Sequence, residues 1–124
     1  MAILLHGTTK RRAEQIVAWG PNPDFLEPGG DQMAEGFSTY LDTGPFLLGT
    51  PEEYARRKSA GFLNEGGPVI LEIEVLGAII ALATDDVYFP LTQGLVQFDV
   101  GAGLEELREE WPTLRKQIIL VSEI

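Results

Sequence analysis

The chain has 124 residues, 44% of them apolar and 23% charged, enough hydrophobic material for one core of ordinary domain size and no sign of bulk disorder. Nine basic residues against nineteen acidic ones leave a formal charge of -10, which repels phosphate backbones and anionic membrane surfaces, so nucleic acid and membranes are not expected partners. There is no cysteine and His6 is the single histidine, which removes thiol chemistry and the usual ligand set of tetrahedral zinc, and no apolar run approaches the roughly 20 residues of a membrane span. The expectation is a single domain over residues 1–124, in the cytoplasm.

Ala2 to Leu5 reads as a short apolar strand that ends at His6-Gly7, where glycine suits a turn, with Thr8 or Thr9 placed to cap a following helix. Ala13, Ile16 and Val17 recur at helical spacing, and Gly20-Pro21 stops that helix, which gives a first helix over Lys10 to Trp19. Pro21 to Glu35 is rich in Pro, Gly, Asn and Asp and reads as a long loop able to cover a site. Gly36 to Leu41 is a strand. Thr50-Pro51-Glu52-Glu53 is a capping box with proline at the first helical position, opening a second helix to about Ala60. From Val69 to Val75 apolar residues alternate with Glu72 and Glu74, the pattern of a strand buried on one face and wet on the other. Ala78 to Leu82 and Leu95 to Val100 read as further strands, Leu104 to Glu110 as a short acidic helix, and Gln117 to Val121 as a closing strand. The order β-α-loop-β-α and then mostly β argues for an α+β domain rather than a regular βαβ winding.

Leu5-His6-Gly7-Thr8, then a helix, a long loop, Gly36-Phe37-Ser38-Thr39, and a helix containing Tyr54-Ala55-Arg56-Arg57 resemble the ADP-ribosyltransferase family. The closer likeness is to its histidine-type branch, which includes the poly(ADP-ribose) polymerases and diphtheria toxin. The resemblance covers the first half of the chain in motifs and the second half in element order. It implies a split β-sandwich with two or three helices and NAD, the substrate, held in a cleft between two small sheets. It further implies that backbone groups of Gly7 bond the nicotinamide amide, that His6 contacts a ribose hydroxyl, that Thr8 assists at the start of the helix, and that the loop from Pro21 to Glu35 lies over the dinucleotide. The family's stacking aromatic aligns with Ser38; Tyr40, two residues along the same strand face, and Tyr54, on the second helix, are the candidates to replace it. Ser38-Thr39 also resembles the Ser-Thr-Ser strand of the arginine-type branch, but that branch needs an arginine where this chain has His6. An RNA phosphate-removing branch expects a basic cleft, against which the acidic balance argues.

Cleaving the nicotinamide-ribose bond creates an oxocarbenium-like centre, which a carboxylate on the ribose hydroxyl stabilises. The family places a glutamate there, early on a late strand, and the matching segment Arg115-Lys116-Gln117-Ile118-Ile119 puts Gln117 at that position. An amide holds a hydroxyl but brings no charge. Gln117 is therefore the mark of a slowed transferase, of an active one whose carboxylate comes from elsewhere, with Glu123 and Asp99 as candidates, or of an ordinary edge residue. Glu72 with Glu74, and Glu105, Glu106, Glu109 and Glu110, read as solvated faces. The expected function is an NAD-binding ADP-ribosyltransferase-like domain, active or a pseudoenzyme, with a protein acceptor or partner among its binding partners. The alternative is a non-enzymatic interaction domain with an acidic surface.

Overall fold

A computed structural model describes residues 1–21, 36–46, 49–81, 94–99 and 102–122. Five strands, β1 (Ala2–Thr9), β2 (Gly36–Leu41), β3 (Pro68–Val75), β4 (Leu95–Asp99) and β5 (Arg115–Leu120), form one antiparallel sheet in the order β4-β2-β1-β3-β5. The helices are α1 (Lys10–Trp19), α2 (Pro51–Gly61), a single turn α3 (Gly77–Ile80) and α4 (Ala102–Glu110), with a 3-10 turn at Trp111–Thr113. The α+β class is as expected. The described strands make one sheet with four helices, where the resemblance implied two small sheets and two or three helices.

Alternation along the strands sorts the sheet into two faces. Leu4, Phe37, Val69, Leu71, Ile73, Val75, Val96 and Phe98 point one way and join Ala13 and Ile16 of α1, Leu104 and Leu107 of α4, and Trp111 in the main core. The indole Nε1–H of Trp111 donates to the Val17 carbonyl at 3.2 Å, which satisfies the one polar atom that this buried ring carries inward. The register of the strands places Leu5, Gly7, Ser38, Tyr40, Ile70, Glu72, Gln97 and Gln117 on the opposite face, and α2 packs there.

Three local readings change. His6 and Gly7 do not end a strand: β1 runs on to Thr9 because β3 pairs with it along its whole length, from Ala2 opposite Val75 to Thr9 opposite Pro68. Ala78 onward is not a strand but the turn α3, with Ile79 buried and its N–H bonded to the Leu76 carbonyl at 2.9 Å; a short apolar run carries no period that separates the two. The closing strand begins two residues early, at Arg115. The helix caps follow their side chains: Thr9 Oγ1 accepts from the Arg12 N–H at 3.3 Å and Thr50 Oγ1 from the Glu53 N–H at 3.2 Å. Of the two threonines expected to cap α1, Thr9 does so, and Thr8 is fully buried on the core face. The segment from Pro21 to Glu35, expected to be a long loop, lies outside the described residues except for Pro21.

Candidate functional site

The pairing between β1 and β2 is short. These strands pair at Leu4 with Leu41 and at Leu5 with Tyr40, and the Asp42 N–H reaches the Ile3 carbonyl at 3.0 Å. Because that bond directs the backbone groups of Ile3 toward β2, alternation directs those of Leu5 and Gly7 the same way. Gly7 and Ser38 would form the next rung, but the paired register of these strands ends at Leu5 and Tyr40. Instead the Ser38 carbonyl accepts from His6 Nδ1 at 2.7 Å, and a carbonyl can only accept, so Nδ1 carries the proton. The imidazole bonds a carbonyl that the next rung of the ladder would use. A buried glycine thus turns its N–H and C=O into a gap where the ladder has stopped.

His6 is 5% exposed, and its ring lies on the core side of the sheet, 4.3 Å from that of Phe37. The Phe37 ring in turn meets Trp111 edge-on at 6.3 Å. His6 and Gly7 are on the central strand, but the His6 ring and the side chains of Ser38 and Tyr40 lie on opposite faces.

The lack of a side chain at Gly7 serves a helix directly. A Cβ there would run into the Pro51 carbonyl oxygen and stand 3.0 Å from the Ala55 nitrogen, so the first turn of α2 rests on the strand. That seating brings Tyr54 over the sheet beside Tyr40. Tyr40 is buried, which raises its phenol above the ordinary value; the neighbouring Tyr54 and Glu53 push the same way and Arg57 opposes them. The Tyr40 ring also lies 6.2 Å from Phe46, and Lys58 Nζ stands 5.0 Å from the Tyr54 ring. The two aromatic candidates therefore converge. Ser38 Oγ donates to Oε1 of Gln97, a residue 2% exposed on β4 and not singled out in the sequence, where it passes for one polar residue in an apolar strand.

Gln117 is exposed on the edge strand β5, directly opposite Glu72, and both line a recess of about 310 Å³ with Glu74, Arg115 and Lys116. Tyr40, Leu5, Glu72 and Gln117 form one row across β2, β1, β3 and β5. Glu72 and Gln117 come together although the spacing of Glu72 and Glu74 had given no reason to expect it; only the register of two distant strands reveals it. Asp99 stands opposite Gly36 at the far end of β4 from that row, and Glu123 lies outside the described residues. Among the described residues no group of three or more His, Asp or Glu side chains is placed to hold a metal ion, and no helix is long and apolar enough to cross a membrane.

No protein-family model matches the chain, and neither a curated protein nor a solved structure matches it.

Proposed function

We propose that the gap between β1 and β2, under α2, is the nicotinamide subsite of an ADP-ribosyltransferase-like domain that takes NAD as substrate. The observation that carries this reading is Gly7: a buried backbone N–H and C=O turned into an opening where the ladder ends, one donor and one acceptor side by side. A carboxamide needs that pair, and buried backbone groups outside a ladder call for a partner. Tyr40 or Tyr54 supplies the ring face for stacking, and Ser38, tied to Gln97, borders the opening. The resemblance assigns His6 a ribose contact; its ring lies on the core side of the sheet, on the other face from Ser38 and Tyr40, with Nδ1–H given to the Ser38 carbonyl. Transfer of ADP-ribose with release of nicotinamide follows, with an amide, Gln117, at the position where the family has a carboxylate. In this reading the split between β1 and β2 stands for the split of the family's sandwich.

The rival is an interaction domain. It is favoured by a recess of about 620 Å³ in which Glu105, Glu106, Glu109 and Glu110 of α4 face Leu76, Ala78 and Ile79. Calorimetric titration separates the two. Nicotinamide and NAD should both give heat, and ADP-ribose, which lacks the carboxamide, should bind more weakly than NAD. Absence of heat from all three would hand the function to the acidic surface.

A further inference from the structure

We infer that Glu72, not Gln117, carries the negative charge that assists cleavage of the nicotinamide-ribose bond, an inference that rests on the nicotinamide subsite proposed above. Gln117 was matched to the family's glutamate by its place in the sequence. The sheet adds a fact that no alignment of this strand contains: its cross-strand partner is a glutamate. Directly opposed residues of an antiparallel pair have Cβ atoms about 5 Å apart, so the Glu72 carboxylate and the Gln117 amide share one volume above the sheet.

The row geometry favours Glu72 over its neighbour. With strands about 4.8 Å apart, Glu72 stands two strands, about 10 Å, from Tyr40, whereas Gln117 stands three, about 14 Å. A nicotinamide stacked on Tyr40 would direct its ribose across Leu5, and the next side chain in that row is Glu72. Leu5 is partly buried and nonpolar, a floor that brings no competing hydrogen bond. Glu74 shares the face but lies two residues further from the Gly7 row, and its carboxylate is 3.9 Å from the Arg115 guanidinium. Glu72 makes no ion pair or hydrogen bond among the described residues. Its partial exposure keeps it available to a ligand.

The step assigned to it is hydrolysis or transfer. The bond from ribose C1′ to the nicotinamide nitrogen breaks, and its electron pair stays on that nitrogen, which neutralises the pyridinium. Positive charge develops at C1′, where the Glu72 carboxylate, bonded to a ribose hydroxyl, stabilises it. Water, or the hydroxyl or amine of an acceptor, forms the new bond to C1′ and releases one proton to solvent. Gln117 beside it holds a second hydroxyl through its amide.

The experiment is a nicotinamide-release assay from NAD, with NAD binding measured in parallel by calorimetry, on the full chain and on Glu72→Gln, Glu72→Gln with Gln117→Glu, and Glu106→Gln as a remote control. Glu72→Gln should bind NAD as the wild type does while release falls about 100- to 1,000-fold, the loss commonly seen when one stabilising group is removed from a transition state. Moving the carboxylate across the rung in the double variant should restore a measurable part of the rate, which a purely structural role of Glu72 would not allow. Release unchanged in Glu72→Gln with NAD binding intact overturns the assignment and leaves the subsite standing, as does a wild type that binds NAD and releases no nicotinamide. If the wild type binds neither NAD nor nicotinamide, the subsite fails and the assignment with it.

Discussion

Replacing Gly7 by alanine tests whether α2 is seated on the central strand. The added methyl carbon would meet the Pro51 carbonyl oxygen, stand 3.0 Å from the Ala55 nitrogen and 3.3 Å from the Ala55 Cβ, inside ordinary contact distance for all three. Two of these atoms belong to the backbone of the first helical turn and cannot rotate away, so the helix must lift or the strand bow. Overpacking of this kind costs about 1–3 kcal/mol, offset by about 0.4–1 kcal/mol because alanine restricts the unfolded chain more than glycine does. The net loss is roughly 1–2 kcal/mol. A chain of 124 residues has an unfolding entropy of about 0.26 kcal/mol per kelvin, so Tm should fall by about 4–8 °C. Gly61 provides the contrast, since a Cβ there meets nothing within 4 Å at the end of the same helix, and Gly61→Ala should raise Tm slightly. Paired thermal melts decide the matter. A Gly7→Ala protein as stable as the wild type would refute the close seating of α2, and with it the position given to Tyr54.

Two pH dependences follow from groups at either end of the site. The Glu65 carboxyl is held below its ordinary value chiefly by the hydrogen bond from Arg12, whose Nε lies 2.6 Å away, with a further bond from Thr9 at 3.0 Å. Since the folded value is the lower one, this stability is complete above the unfolded value of about 4.3 and is lost as pH falls through the folded value. Glu65→Gln should cost about 1.5–3 kcal/mol at neutral pH, and its melting curve should converge with that of the wild type in acid. The Tyr40 phenol is raised by burial, so the unfolded chain ionises first as pH rises past about 10 and stability declines from there until the folded value is reached. Tyr40→Phe should remove that alkaline decline, which melts on either side of about pH 10 would show.

Where a signal was local, it could be read directly. The caps at Thr9 and Thr50, the glycine stop at Gly20 and the alternation around Glu72 and Glu74 each depend on residues within a few positions, and they placed α1, α2, β2 and β3 within a residue or two. His6-Gly7 misled because glycine's preference for turns is a local fact, whereas strand β3, which holds it extended, lies more than sixty residues away. Ile79 and Ile80 misled because β-branched residues favour strands until a single turn buries one of them. The site shows the same division. His6, Gly7, Ser38 and Tyr40 were chosen from motifs and do meet at the β1/β2 opening, although on two faces. Glu72 and Gln97 acquire their meaning only from cross-strand pairing, which alternation within one strand cannot supply.

The interrupted ladder also bears on how the molecule yields. Among the described residues β1 and β2 are paired at two positions, with a further backbone bond and the His6 bond beside them, while β1 and β3 are paired over eight. Cooperative opening follows the weakest line of hydrogen bonds rather than the middle of the mass. The seam beside Gly7 is that line in the sheet, but Phe37 of β2 and Val96 and Phe98 of β4 are packed into the main core, so the β2–β4 ribbon is held in place by its buried side chains more than by its backbone ladder.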